Sequence, residues 1–195
     1  MDTFTDNLPS IILMAVLIIM SAYFSATETA FSSVNKTRLK NLVEKGDKKA
    51  ELALKLSESY DKLISTILIG NNIVNIALAS VGTVLFMDIY GSIGATISTV
   101  VVTVAVLIFG EITPKSVAKD CPEKFAMFSS PIIRLLIWIL TPINFIFSQW
   151  KKLIAKLFKL EGSSKMSQEE LVLLVEEVEQ EGTLDTDEAS LYEMR

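Results

Sequence analysis

The chain has 195 residues, half of them apolar, with 23 Asp and Glu against 18 Lys and Arg, one cysteine and no histidine. The charges are segregated: residues 7–27, 63–87 and 89–110 contain none, and each run matches the ~20 residues a helix needs to cross a bilayer. These features exclude a soluble globular domain, a disordered chain, an intrachain disulfide through Cys121, and the usual zinc, copper and haem ligand sets.

The first apolar run lacks a basic leader and exceeds a typical signal-peptide core, so it reads as a span that is retained. Within it and just beyond, Ser21, Ser25, Glu28 and Ser32 fall at i, i+4, i+7 and i+11, one helix face. Serines alone would often serve close helix packing; an ionisable residue aligned with them is a functional signal in a membrane span.

Eight Lys and Arg follow between Lys36 and Lys62, with none before Lys36 and none from residue 63 to 114. Positive residues collect on the cytoplasmic side. The reading is a multi-pass cell-membrane protein with its N-terminus outside and its C-terminus cytoplasmic. Residues 37–59 read as an amphipathic helix broken near Gly46, either lying at the membrane surface or forming a solvated helix hairpin.

The second apolar run carries Gly70-Asn71-Asn72 and Asn75, three amides within two turns, with Asn72 and Asn75 on one face and Asn71 and Asn75 one turn apart. An unpaired amide in hydrocarbon costs roughly 2–7 kcal/mol, so three together exceed what helix pairing needs. The third run ends in Gly110-Glu111-Ile112-Thr113-Pro114-Lys115. Pro114 has no N–H for the carbonyl four residues earlier, that of Gly110. This predicts a proline kink at the span's end, with a freed carbonyl beside the Glu111 carboxylate and the negative end of the helix dipole.

Residues 125–150 are apolar but contain Arg134, Pro131 and Pro142. A pair of short, broken or re-entrant helices is expected there, four full spans being the competing arrangement. Residues 150–159 set Leu153, Ile154 and Leu157 against four lysines. From residue 161 to 195 there are eleven acidic and two basic residues, net −9 against +4 for the remainder. Ser167 and Glu170 form a capping box there, and six glutamates lie within residues 169–181. Bound cations would relieve the mutual repulsion of such a helix, although a solvated acidic face is the plainer account. A second helix starts near Thr186 and the chain stops in mid-pattern.

The fold expected is therefore an all-α membrane protein: three transmembrane helices plus the broken pair, amphipathic juxtamembrane helices and a cytoplasmic acidic helical bundle. Its domains are 1–160 (membrane) and 161–195 (acidic bundle). The polar groups supply hydroxyl, amide, carbonyl and carboxylate oxygens, hard ligands suited to Mg²⁺, Ca²⁺ or Mn²⁺, with Na⁺ also open. With a ligand charge of only −1 to −2, such a site releases its ion. No nucleophile–base pair and no P-loop pattern is visible, so an enzyme is not expected.

Ser21-x-x-x-Ser25-Ala26-Thr27-Glu28-Thr29-Ala30, Gly70-Asn71-Asn72-x-x-Asn75 and Gly110-Glu111-x-x-Pro114-Lys115 resemble, in order, the signature motifs of the CNNM/CorC (CorB) family of magnesium-transport membrane proteins. Glu181-Gly182-Thr183-Leu184 resembles that family's linker. The resemblance implies a homodimer in the lipid membrane that exports Mg²⁺, exchanged for Na⁺, with no nucleic-acid partner. It implies Ser21, Ser25, Asn72, the Gly110 carbonyl and Glu111 as ion ligands. Glu28, Asn71, Asn75, Pro114 and Lys115 would support the site or the coupling ion's path. Family members continue into paired CBS domains that bind Mg-ATP; these are expected to be absent from this chain, which is then left without an ATP site. The alternative is a Mg²⁺-sensing scaffold that regulates another transporter.

Overall fold

The computed structural model describes residues 3–157, and among these the regular structure is entirely helical. In chain order the elements are α1 (Thr3–Ser33), α2 (Lys36–Glu44), α3 (Lys48–Glu58), α4 (Tyr60–Tyr90), a 3₁₀ turn (Gly91–Ile93), α5 (Gly94–Ala105), a widened π-helical segment (Val106–Ile112), α6 (Thr113–Asp120) and α7 (Pro122–Leu157). The packed unit described below ends at Phe145. The acidic 161–195 segment, where a capping box and helical bundle are expected, lies outside the described residues.

Three helical stretches are long and apolar enough to cross a membrane: Asn7–Ser33, Tyr60–Asp120 and Pro122–Ile143. The middle stretch holds two spans, because α4 folds back on α5 through the turn at Gly91–Ile93. Their outward faces carry bare apolar side chains such as Ile19, Ile76 and Val100, the pattern of helices whose solvent is lipid.

The interior is built on α1 and α4. On α1, Leu17, Ser21, Phe24, Ser25 and Ala30 are buried; on α4, Leu63, Ile67, Gly70, Val74 and Leu78 are. The α4 set repeats at three- and four-residue intervals, a single stripe, whereas on α1 the stripe through Leu17, Ser21 and Phe24 widens until all four residues Phe24–Thr27 are buried. A side chain at Gly70 would drive its Cβ to 2.5 Å from the Phe24 ring, so glycine there sets how closely α1 and α4 approach.

Between the spans, α2 and α3 form the break expected at Gly46, which has φ 87°. Each helix starts on a side-chain cap. Asn35 Oδ1 accepts from the N–H groups of Thr37 and Arg38, and Asp47 Oδ1 from those of Lys49 and Ala50. These caps satisfy donors that a helix start leaves unpaired. Leu39, Ala50, Ala53 and Leu56 are buried against the spans' core, so the segment is packed onto the membrane unit and is not a free hairpin.

Two expectations need correction. The broken pair over 125–150 is instead one continuous helix, α7, with Pro131 and Pro142 inside it. Membrane helices tolerate proline, which here leaves the carbonyls of Met127 and Trp138 without their N–H partners, and hydroxyls bond to carbonyls adjacent in the chain. In the turn before Pro131, Ser129 and Ser130 donate to the carbonyls of Phe125 and Ala126; before Pro142, Thr141 donates to that of Ile137. The third span also does not end at Gly110. The Thr113 N–H donates to the Ile108 carbonyl five residues back, and helix continues to Asp120. The chain passes Pro114 through a widened, π-helical turn, which continues the helix without restoring the N–H that proline lacks. No helix C-terminus therefore lends its dipole to Glu111.

Candidate cation site

Ser21 lies on α1 about 18 Å from its Ser33 end at ~1.5 Å per residue, and Asn75 lies midway along α4. Both are thus at mid-span depth, and they meet. Ser21 Oγ, fully buried, donates to Asn75 Oδ1 at 2.8 Å and lies 3.4 Å from Asn71 Oδ1. Asn75 Nδ2 donates to Asn71 Oδ1 at 3.5 Å. Two of the three amides therefore share one knot of oxygens with the first serine.

The π-segment closes the third side. Gly110 is buried, and a Cβ there would lie 2.9 Å from Ser21 Oγ. Absence of a side chain lets the backbone of the third span reach the serine. Pro114 can supply no N–H to the Gly110 carbonyl in α register, nor to that of Phe109 in π register. Glu111, next in the chain, is half-buried.

One turn along α1 from Ser21, Ser25 Oγ is fully enclosed and makes no hydrogen bond. A buried hydroxyl without a partner forfeits ~1–3 kcal/mol, and native interiors seldom leave one so without a purpose. Three residues further, Glu28 Oε2 lies 3.3 Å from Lys115 Nζ on α6, both side chains partly exposed.

Of the residues marked by the sequence, Ser21, Asn71, Asn75 and Gly110 meet; Ser25 lies one turn along α1 from Ser21, Glu111 follows Gly110 in the chain, and Glu28 pairs with Lys115, one residue past Pro114. Asn72 does not join them. It is exposed, on the side of α4 that carries Ile73 and Ile76, because a 100° step per residue separates it from its neighbour Asn71. The Glu28–Lys115 contact was not foreseen, since nothing in the sequence registers α1 against α6. Among the described residues no three His, Cys, Asp or Glu gather as a metal cluster. A cation here would be met chiefly by neutral hydroxyl, amide and peptide oxygens, hard donors that suit a small hard ion.

A family model described as the Cyclin M transmembrane N-terminal domain, CNNM, matches residues 12–188. The chain belongs to the CNNM family. Relatives of this CNNM chain include a UPF0053 protein of Haemophilus influenzae, 41% identical over 178 residues, covering 88% of this chain and 42% of that one. The UPF0053 inner membrane protein YfjD of Escherichia coli is 36% identical, over 81% of this chain and 38% of its own. A protein of H. influenzae named polyamine export protein is 27% identical, over 94% and 46%. This CNNM chain therefore spans less than half the length of these relatives.

Proposed function

We propose that the chain is the ion-binding membrane core of a divalent-cation transporter, exporting Mg²⁺ in exchange for Na⁺ and working as a homodimer. Its N-terminus is outside and its lysine-rich α2–α3 side cytoplasmic. Supporting this reading most directly is Ser25: a hydroxyl wholly enclosed and unpartnered, one turn from a serine–asparagine knot at mid-span. A cation satisfies it where the protein does not.

Ser21, Ser25, the Gly110 carbonyl and Glu111 are the proposed ligands. For the amide ligand, the geometry speaks for Asn75 or Asn71 over Asn72. Ser21 can turn a lone pair to the ion by giving up its bond to Asn75, which frees the Asn75 oxygen at the same moment. Five protein oxygens would strip most of the water that Mg²⁺ ordinarily keeps, and the mid-membrane depth matches where transporters hold their cargo.

The test is Mg²⁺ flux into dye-loaded proteoliposomes by the purified protein, with Glu111→Ala alongside. Flux lost in the variant, with the fold retained, supports the site; unchanged flux removes it. Binding without flux in the wild type would favour the sensor reading. The name of the polyamine-exporting relative motivates a second cargo, since a protonated amine can donate to the same oxygens. Spermidine flux without Mg²⁺ flux would select it.

A further inference from the structure

Just beyond the oxygen knot, on the side where α2 and α3 attach, the Glu28–Lys115 pair joins α1 to α6. As a strut it contributes little, because partly exposed ion pairs contribute ~0–1 kcal/mol. Its position gives it another use. Glu28 follows the unpartnered Ser25 by three residues on the same face of α1, and Lys115 follows Glu111 by four, the spacing at which Glu and Lys pair along a helix. The Lys115 ammonium is thus held by one carboxylate, that of Glu28, and its helix begins one residue beyond the π-segment that carries the other, Glu111. A fixed positive charge there opposes a divalent cation unless a carboxylate holds it aside.

We propose that the Glu28–Lys115 pair is an electrostatic gate of the cation site: an entering divalent ion takes the carboxylate from Lys115, and Lys115 reclaims it when the ion leaves. Lys115 is then a tethered competitor that weakens binding and speeds release, and Glu28 is the group that keeps it off Glu111. The inference rests on the cation-site reading above and adds its regulation.

A gate and a strut give opposite signs. With the purified chain in lipid nanodiscs titrated calorimetrically with MgCl₂ alone, Lys115→Met tightens binding about tenfold and Glu28→Gln weakens it about tenfold, the scale set by one unit charge acting on a divalent ion at partial screening. The double variant returns to within about threefold of wild type, and Lys115→Arg stays within about twofold. Lys115→Gln repeats the sign of Lys115→Met should the latter express poorly. Weakening in both single variants, or no change beyond twofold in either, overturns the gate while leaving the site intact. No Mg²⁺ binding by the wild-type chain overturns the cation site and the gate with it.

Discussion

Gly110→Ala probes the site through the narrowest contact in the fold. The added Cβ would lie 2.9 Å from Ser21 Oγ, 3.3 Å from Ser21 Cβ and 3.5 Å from Val106 Cγ1. The first two distances are too short for carbon, so the serine must retreat by a few tenths of an ångström. That movement strains the 2.8 Å bond to Asn75. Losing a bond between neutral groups costs ~1 kcal/mol, and overpacking adds ~1–3 kcal/mol. Alanine's better helix propensity returns ~1 kcal/mol. The net is a destabilisation of about 1–3 kcal/mol, measurable by reversible unfolding in mixed micelles. Mg²⁺ affinity should fall at least about tenfold, because the displaced oxygen is a proposed ligand. Ser21→Ala removes the clashing atom, so Gly110→Ala should cost less in that background, by about 0.5–1 kcal/mol. A Gly110→Ala protein of wild-type stability, additive with Ser21→Ala, would refute the packing argument and with it the approach of the third span to Ser21.

Ser25→Ala should leave stability unchanged or raise it by up to about 1 kcal/mol, since a desolvated hydroxyl without a partner is removed, while Mg²⁺ binding drops; a clear loss of stability in unfolding experiments would mean the hydroxyl has a partner. Asn75→Ala should cost ~1 kcal/mol and most of the flux, and Asn72→Ala much less of either; the reverse order would show that Asn72 turns inward in the working protein. Asp47→Ala removes the acceptor for two N–H groups at the start of α3 and should cost ~1 kcal/mol, read as faster amide exchange over Lys48–Glu58. Arg38→Ala removes the partner, 3.6 Å away, of Glu123, whose side chain is only 15% exposed, and should cost ~1–2 kcal/mol because a largely buried carboxylate is left unpaired; a change below about 0.5 kcal/mol in unfolding experiments would show that the pair contributes nothing.

The membrane spans, the helix break at Gly46 and the residue types of the site were legible in the sequence because each rests on local chemistry. Uncharged runs of fixed length have one stable solvent, a serine ladder at i, i+4 has one face, and proline always lacks its N–H. How the chain answers that missing N–H is not local. A kink, a helix end and a π-turn all accommodate Pro114, and the packing of Gly110 on Ser21 goes with the widened turn that carries helix on to Asp120. The same holds for Pro131 and Pro142, which a single sequence cannot distinguish from helix breaks, while the structure runs on as one helix through both. Which asparagines join the serine was likewise a matter of helix rotation: Asn71, Asn72 and Asn75 carry the same group, and only the contact of α4 with α1 turned two of them inward. The sequence by itself determined that hard oxygens and two carboxylates would lie within apolar helices; tertiary packing decided which of them meet, because registry between helices depends on side-chain volumes at contacts far apart in the chain.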